Sequence, residues 1–423
     1  MFFVKPVTRQ GMKNNKTHPA SHSYTILKQV CNLIPGHMVQ QTAQTYGIDE
    51  QSRTFSPWSH VVALLHAQVT HAIGLNDVCD SLQMNSGVLA TIRGATPPSR
   101  NNLSHANKIR SSDMAKELYW KLMDHLMRQS PRFAKGKMRS GYLRRFRSAI
   151  HAVDSTTIQL VANCMPWAKH RRRKAAAKCH LRLNLQSFLP ACAIIDTAKE
   201  HDSSKAWGLC AGLKEGETAV FDKAYLDFKH LNSLNERGVF WVTRAKDNTQ
   251  VDVQERLEVT RNIRILEDHR VELSGSRSRK LYPGPLRQVK AIVEVDGKER
   301  VLVFLTNNLE WSPWTVAELY RARWEIEVFF KEIKQTLQLA DFLGNNANAV
   351  QWQIWMGLLV HLLLRYLAFL HSWQHSFTRL FTVIRAVLWR RWDLHALVSS
   401  YGTASPPGRL CGTPEQAYFP GFG

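Results

Sequence analysis

Fifteen residues, Tyr320 to Lys334, carry the densest chemistry in this sequence: YRARWEIEVFFKEIK. On an α-helix each residue turns about 100°, so with Tyr320 at zero, Arg323 falls near about 300°, Glu327 near about 340°, Lys331 near about 20° and Lys334 near about 320°. One carboxylate thus shares a narrow face with a tyrosine, an arginine and two lysines. Such a face suits a metal ion beside a phosphate, the carboxylate ligating the cation while the bases hold phosphate oxygens. Ile326, Phe329, Phe330, Ile333 and Leu337 lie on an apolar arc that can anchor the helix, and Glu325 and Glu332 point elsewhere. Trp324, near about 40°, borders the charged face, where it either packs or stacks on an unpaired base. Helix geometry alone fits a solvated amphipathic helix with incidental salt bridges equally well.

The spacing adds to this. Tyr320, two residues, Arg323, three residues, Glu327, six residues, Lys334 resembles the Tyr-Arg-Glu-Lys signature of bacterial insertion-sequence transposases of the DDE type. That resemblance implies an RNase H-like catalytic domain in which Glu327 is the third of three metal-binding carboxylates. Ala149 to Val153 reads as a short strand ending at Asp154, with a hairpin-like exit through Ser155, Thr156 and Thr157. The DSTT text resembles the family's first catalytic motif and makes Asp154 the first carboxylate. An Asx-turn residue capping a hairpin is the competing account. Thr218 to Phe221 reads as a strand ending at Asp222, and DKAY is similar to the family's common Asp-Arg-Gly-Tyr, with Lys223 and Ala224 departing from it. Asp196 and Asp202 are rival carboxylates, although the Thr-Ala-Lys-Glu text after Asp196 suggests a helix entry. Arg244, Lys246 and Asn248 leave the next strand in a pattern that the family also shows, which implies contacts to the substrate backbone. With Tyr320, Arg323, Lys331, Lys334 and Trp324 they form the expected DNA-binding set.

Three carboxylates of this kind can hold two divalent cations about 3.5 to 4 Å apart and drive in-line phosphoryl displacement. Hard oxygen ligands favour Mg²⁺ or Mn²⁺ over zinc. The expected protein is a cut-and-paste transposase acting on double-stranded DNA at terminal inverted repeats, at least dimeric when two ends are paired. Two other readings share these residues: a metal-dependent nuclease that never joins strands, and a non-catalytic DNA-binding regulator derived from such an element.

Composition bounds the elements that must position these groups. The chain has 423 residues, 44% hydrophobic and 10% aromatic, enough for two or three globular domains. Lys and Arg number 56 against 34 Asp and Glu, a formal charge of +22, which points to a polyanionic partner. Seven scattered cysteines without Cys-x-x-Cys spacing argue against a disulfide framework or a zinc ribbon. The N-terminus lacks the apolar core of a signal peptide, and the apolar run Ile354 to Leu370 reads as a buried helix rather than a membrane anchor. The resemblance implies a bacterial cytoplasmic, nucleoid-associated protein.

The pattern predicts an α/β chain: a disordered lead-in over 1–24, an all-helical DNA-binding domain over 25–130, and a basic linker over 131–147. The RNase H-like core follows over 148–249 and resumes, with C-terminal helices, over 309–400. A β-rich insertion spans 250–308, and a loose tail 401–423. Arg93, Arg100 and Lys108 are candidate phosphate contacts in the helical part, and the run KHRRRKAAAK (169–178) reads as a loop tracking DNA backbone.

Overall fold

A computed structural model describes residues 19–48, 55–136, 142–160, 169–171, 174–197, 202–259, 264–295, 298–337 and 343–400. Most of the expected lead-in, the whole 401–423 tail, residues 137–141 of the basic linker and residues 172–173 of the basic run lie outside the described residues.

Helices occupy the first third: α1 (Ile26–Cys31), α2 (Gly36–Thr45), α3 (Pro57–Thr70), α4 (Leu75–Met84), α5 (Ser86–Ala90), α6 (Arg100–Ile109), α7 (Asp113–Gln129) and α8 (Pro131–Lys135). Ser56 caps α3 by accepting from the Ser59 amide, with Pro57 in the first turn, and Ser99 caps α6 the same way through Asn102. Arg93 is exposed, yet its guanidinium is engaged within the protein. Its guanidinium lies 3.9 Å over the Trp58 ring and donates to the carbonyls of Cys31 and Ile34, which ties α1 to the loop after α5. Arg100 and Lys108 are exposed.

A mixed sheet follows: β1 (Ile150–Leu160), β2 (Lys169–Arg171), β3 (Lys174–Asn184), β4 (Leu189–Thr197), β5 (Thr218–Phe221), β6 (Phe240–Arg244), β7 (Val251–Arg256), β8 (Ile265–Leu273), β9 (Leu286–Val295) and β10 (Lys298–Thr306). The order is β2-β3-β1-β5-β6-β10-β9-β8-β7, with β4 also on β3. β1 pairs antiparallel with β3 and parallel with β5, and β5 parallel with β6. Of the strands between the second and third candidate carboxylates, β7 to β10 form an antiparallel meander that continues this sheet through the β10–β6 pairing. Inside the meander Arg287 holds Asp268 through two hydrogen bonds of 2.8 and 2.6 Å, both side chains nearly inaccessible.

Side-chain alternation sends successive strand residues to opposite faces. Ile150, Ala152 and Ile158 of β1 join Val220 and Val242 in the larger core, whereas Val153 joins Ala219, Phe221 and Trp241 in the other. Helices α9 (Asp202–Cys210) and α10 (Phe228–Glu236) cover the second face. After the short α11 (Ser276–Leu281), helices α12 (Pro313–Ala322) and α13 (Glu325–Lys331) cover the first, followed by α14 (Ala347–Leu370), α15 (Phe377–Ala386) and α16 (Leu394–Ser400). By length and composition α14 could cross a membrane, but 78% of its most apolar stretch is buried, packed by α3, α6 and α7. The Trp352 indole N–H donates to the Arg110 carbonyl at 2.7 Å and the Asn348 amide donates to the same carbonyl, so the N-terminal helices and α14 share one core.

Three local expectations are overturned. No hairpin exit follows Asp154: β1 is one strand of 11 residues, because β3 pairs with it from His151 to Leu160 and Ser-Thr-Thr suits an extended, half-buried strand. The described part of the basic run is not a loop, since β2 and β3 pair across it. β4 runs through Asp196 to Thr197, so no helix begins there.

Candidate active site

Register brings the first two carboxylates together. Val153 and Phe221 are the last parallel partners of β1 and β5, and the next residue on each strand is Asp154 and Asp222. There β5 ends in a tight turn, Lys223–Tyr225, anchored by the buried Tyr225. β1 continues with β3 alone, so Asp154 lies where β5 no longer flanks β1. By strand alternation both aspartates lie on the face that carries Ala152 and Val220, the face covered by α12 and α13.

Those helices bring the rest. Ser312 caps α12, Val316 and Leu319 are fully buried, and α13 buries Ile326, Phe329 and Phe330. The predicted single helix is in fact two: the α-helical run stops at Ala322, Arg323 and Trp324 form a turn, and α13 restarts at Glu325. From this hinge the Arg323 guanidinium forks. Nη1 donates to Asp154 Oδ2 at 2.7 Å and Nη2 to Glu327 Oε1 at 2.8 Å. The Tyr320 hydroxyl donates to Asp222 Oδ1 at 3.2 Å, and the Ser155 amide to Asp154 Oδ1 at 2.7 Å. One helix pair therefore engages both strand aspartates while contributing its own glutamate.

Burial dominates the electrostatics. It pushes the Asp154 carboxyl up to about 6, opposed by the Arg323 charge and the Ser155 amide and reinforced by the like charges of Asp222 and Glu327. Burial likewise pushes Tyr320 up to about 12, keeping its hydroxyl a donor. For Arg323 burial acts to lower the value, but Asp154, Tyr320 and Glu327 together raise it, so the guanidinium stays charged. Among the described residues no three His, Cys, Asp or Glu side chains already stand in ligating geometry. The donor set, carboxylate oxygens converging on one bound cationic group, nevertheless matches what a hard divalent ion requires.

The other expected residues scatter around this centre. Lys331 is exposed on α13. Residues Glu332–Thr336 form a π-helical turn that departs from the 100° spacing, and Lys334 reaches along β1 to the Thr157 carbonyl at 3.5 Å. Trp324 is 46% exposed beside the Arg323 turn. Arg244 ends β6 close enough for its charge to act on the Tyr320 hydroxyl. Lys246 donates to the Leu226 carbonyl at 3.4 Å and borders a cavity of ≈ 670 Å³ lined also by Phe228, Asn248 and Arg277. The rival Asp196 is engaged by Lys205 at 2.5 Å.

One cluster escaped sequence reasoning. Glu332 is buried, accepts two hydrogen bonds from Arg365 Nη2 at 3.0 and 2.8 Å, and stands 2.9 Å from His361 Nε2, all within the π turn's packing on α14. Its signal was present: His361 and Arg365 interrupt an apolar run four residues apart, which places them on one helix face.

Two family models match this chain. A second family, described only as a domain of unknown function, matches residues 22–92. A putative transposase y4zB of Sinorhizobium fredii is 30% identical over 304 residues, spanning 71% of this chain and 80% of that protein. A probable transposase for insertion sequence element IS5377 of Geobacillus stearothermophilus is 28% identical over 53% of this chain and 58% of its own. Transposase InsG for insertion sequence element IS4 of Escherichia coli is 27% identical over 44% and 42%. A solved piggyBac transposase synaptic complex with hairpin DNA aligns at a TM-score of 0.44 and 8% identity over 94% of this chain and 90% of that one. The family described as Transposase DDE domain matches residues 146–363, just over half of the chain and the stretch that holds all three carboxylates, so this chain belongs to the DDE transposases, enzymes that cleave DNA and transfer its strands.

Proposed function

We propose that Asp154, Asp222 and Glu327 are the catalytic and metal-binding carboxylates of this transposase, with Mg²⁺ or Mn²⁺ as cofactor. The observation that carries the reading is the shared fork of Arg323 on Asp154 and Glu327, with Asp222 at the adjoining register position under Tyr320. Bound to these oxygens, two divalent ions would supply an acidified water or 3′-hydroxyl and neutralise the leaving oxygen of an in-line displacement. The protein groups do the rest. Arg323 and Lys334 hold phosphate oxygens at the scissile position, and the neutral Tyr320 hydroxyl donates to Asp222 or to the phosphate. Lys331, Arg244 and Lys246 follow the backbone on either side, and Trp324 stacks on an unpaired base.

The strand order β4-β3-β1-β5-β6, antiparallel on one side of β1 and parallel on the other, supports an RNase H-like core with β7 to β10, within 250–308, as its insertion. The helical part before residue 130 binds the element's terminal inverted repeats, with exposed Arg100 and Lys108 as backbone contacts. The substrate is duplex DNA, both element ends and target, paired by a dimer in the nucleoid of a bacterial cytoplasm. The test is a cleavage assay with the flanking DNA of the gene as substrate. Asp154→Ala, Asp222→Ala and Glu327→Ala should each retain binding and lose nicking in Mg²⁺, whereas normal nicking by any of them removes that residue from the site. Nicking without joining to a second duplex would make the protein a nuclease instead.

A further inference from the structure

The position of Arg323 carries an inference beyond phosphate binding, and it rests on the reading of the three carboxylates as a metal site. We propose that Arg323 is the resident counter-ion of that site: in the DNA-free protein its guanidinium stands where a divalent cation must enter, and metal binding exchanges it from Asp154 and Glu327 onto a DNA phosphate.

The geometry points this way in four respects. The fork joins oxygens on two separate elements, β1 and α13, at 2.7 and 2.8 Å, so it does what a bridging cation would do. Both pairs are shielded, with side-chain exposures of 12% for Arg323, 20% for Asp154 and 34% for Glu327. A dication bound to the same two carboxylates would meet this guanidinium as a like charge at close range. The third carboxylate has a neutral partner instead, the Tyr320 hydroxyl, so the single positive charge of Arg323 covers only part of the site. Finally, the two carboxylates do not use all of the donors of Arg323. It sits on the turn between α12 and α13, and its buried Nε has no hydrogen-bond partner among the described residues. Once the metal takes the carboxylates and Arg323 moves off them, its Nη1, Nη2 and Nε donors become available to a phosphate oxygen. Metal and DNA then assist each other's binding through one side chain, and the coupling is reciprocal.

The experiment is Mn²⁺ titration of the DNA-free full chain, followed by calorimetry and by the electron paramagnetic resonance signal of free Mn²⁺, so that no activity enters the readout. Wild type should bind weakly and Arg323→Gln about tenfold or more tightly, within the usual range of such couplings. Mn²⁺ should likewise raise the melting temperature of Arg323→Gln more than that of wild type. Equal or weaker binding by Arg323→Gln overturns the exchange and makes Arg323 an organiser of the ligands. Should Arg323→Gln fail to fold, as judged by circular dichroism, Arg323→Lys carries the test: a shorter side chain with a single nitrogen holds the two carboxylates less firmly than the two-nitrogen fork, so affinity above wild type supports the proposal and affinity equal or lower overturns it. Asp154→Asn separates this inference from the reading beneath it. Binding that is unaffected by Asp154→Asn, or absent from every variant, removes the metal site itself, whereas binding that Asp154→Asn abolishes but Arg323→Gln leaves unchanged removes only the exchange.

Discussion

Glu332 offers the sharpest test of how the site is held. It lies five residues after Glu327 and two before Lys334, in the π turn, and meets Arg365 and His361 in the packing against α14. The three side chains have exposures of 11%, 19% and 2%. Glu332→Ala deprives a largely buried guanidinium of this counter-charge, a change that costs about 3–5 kcal/mol when the ions are desolvated. For 423 residues the unfolding entropy is about 0.9 kcal/mol per kelvin, so the melting temperature should fall by about 3–6 °C. Glu332→Gln keeps an acceptor for Arg365 and should recover part of that loss. The larger consequence is for function. The turn sets the rotation between Glu327 and Lys334, so nicking measured well below the melting temperature should fall about tenfold or more in Glu332→Ala, as expected for an ångström-scale misplacement of reacting groups. A variant that melts within about 1 °C of wild type denies the network its stabilising role. One that loses the expected stability yet nicks at the wild-type rate shows that the network holds α14 without setting the site.

Further outcomes follow from the same geometry. On the proposed assignment Asp154 is ionised when it holds metal, and its carboxyl is pushed up to about 6, so Mg²⁺-dependent nicking should drop about tenfold per pH unit below that value; a flat profile from pH 7 to 5 refutes the assignment. The sign for stability is opposite to that of an ordinary carboxylate. A folded value above the unfolded 3.8 means that this group favours the folded state most below the unfolded value and loses that contribution as pH rises through about 6. The melting temperature should therefore not collapse over the range where activity does. Arg287→Met leaves the inaccessible Asp268 without its bidentate partner and also removes donation to the Leu309 carbonyl, so it should cost about 3–5 kcal/mol; a loss under about 1 kcal/mol in a thermal melt contradicts the pair's burial. Lys334→Ala should weaken DNA binding evenly across sequences and reduce the slope of log affinity against log salt by about 0.9, while an unchanged slope places Lys334 off the backbone.

The sequence by itself determined which residues deserved attention. Tyr320, Arg323 and Glu327 stand at spacings that put them on one side of a helix, and Asp154 and Asp222 each close an apolar run, but period alone left a solvated helix and a hairpin cap open, and it was the resemblance of the motifs that singled these residues out. The alternation that buries Ala152 and Val220 also dictates which way the two aspartates point. What no local pattern encodes is pairing between distant segments. The parallel register that sets Asp154 beside Asp222, the continuation of β1 past Asp154 on β3, and the joining of β10 to β6 depend on hydrogen bonds across tens of residues. The break at Arg323–Trp324 and the π turn at Glu332 likewise have no local cue, since helix propensity through this stretch is unremarkable, and the π turn coincides with the packing of Glu332 on His361 and Arg365 of α14. Tertiary structure also decided the employment of each charge: Arg93 is committed to backbone carbonyls beneath Trp58, Asp196 to Lys205, and Arg323 to two carboxylates at once. A charged side chain's partner is whatever the fold brings within about 3 Å of it, and that distance is fixed by packing far away in sequence.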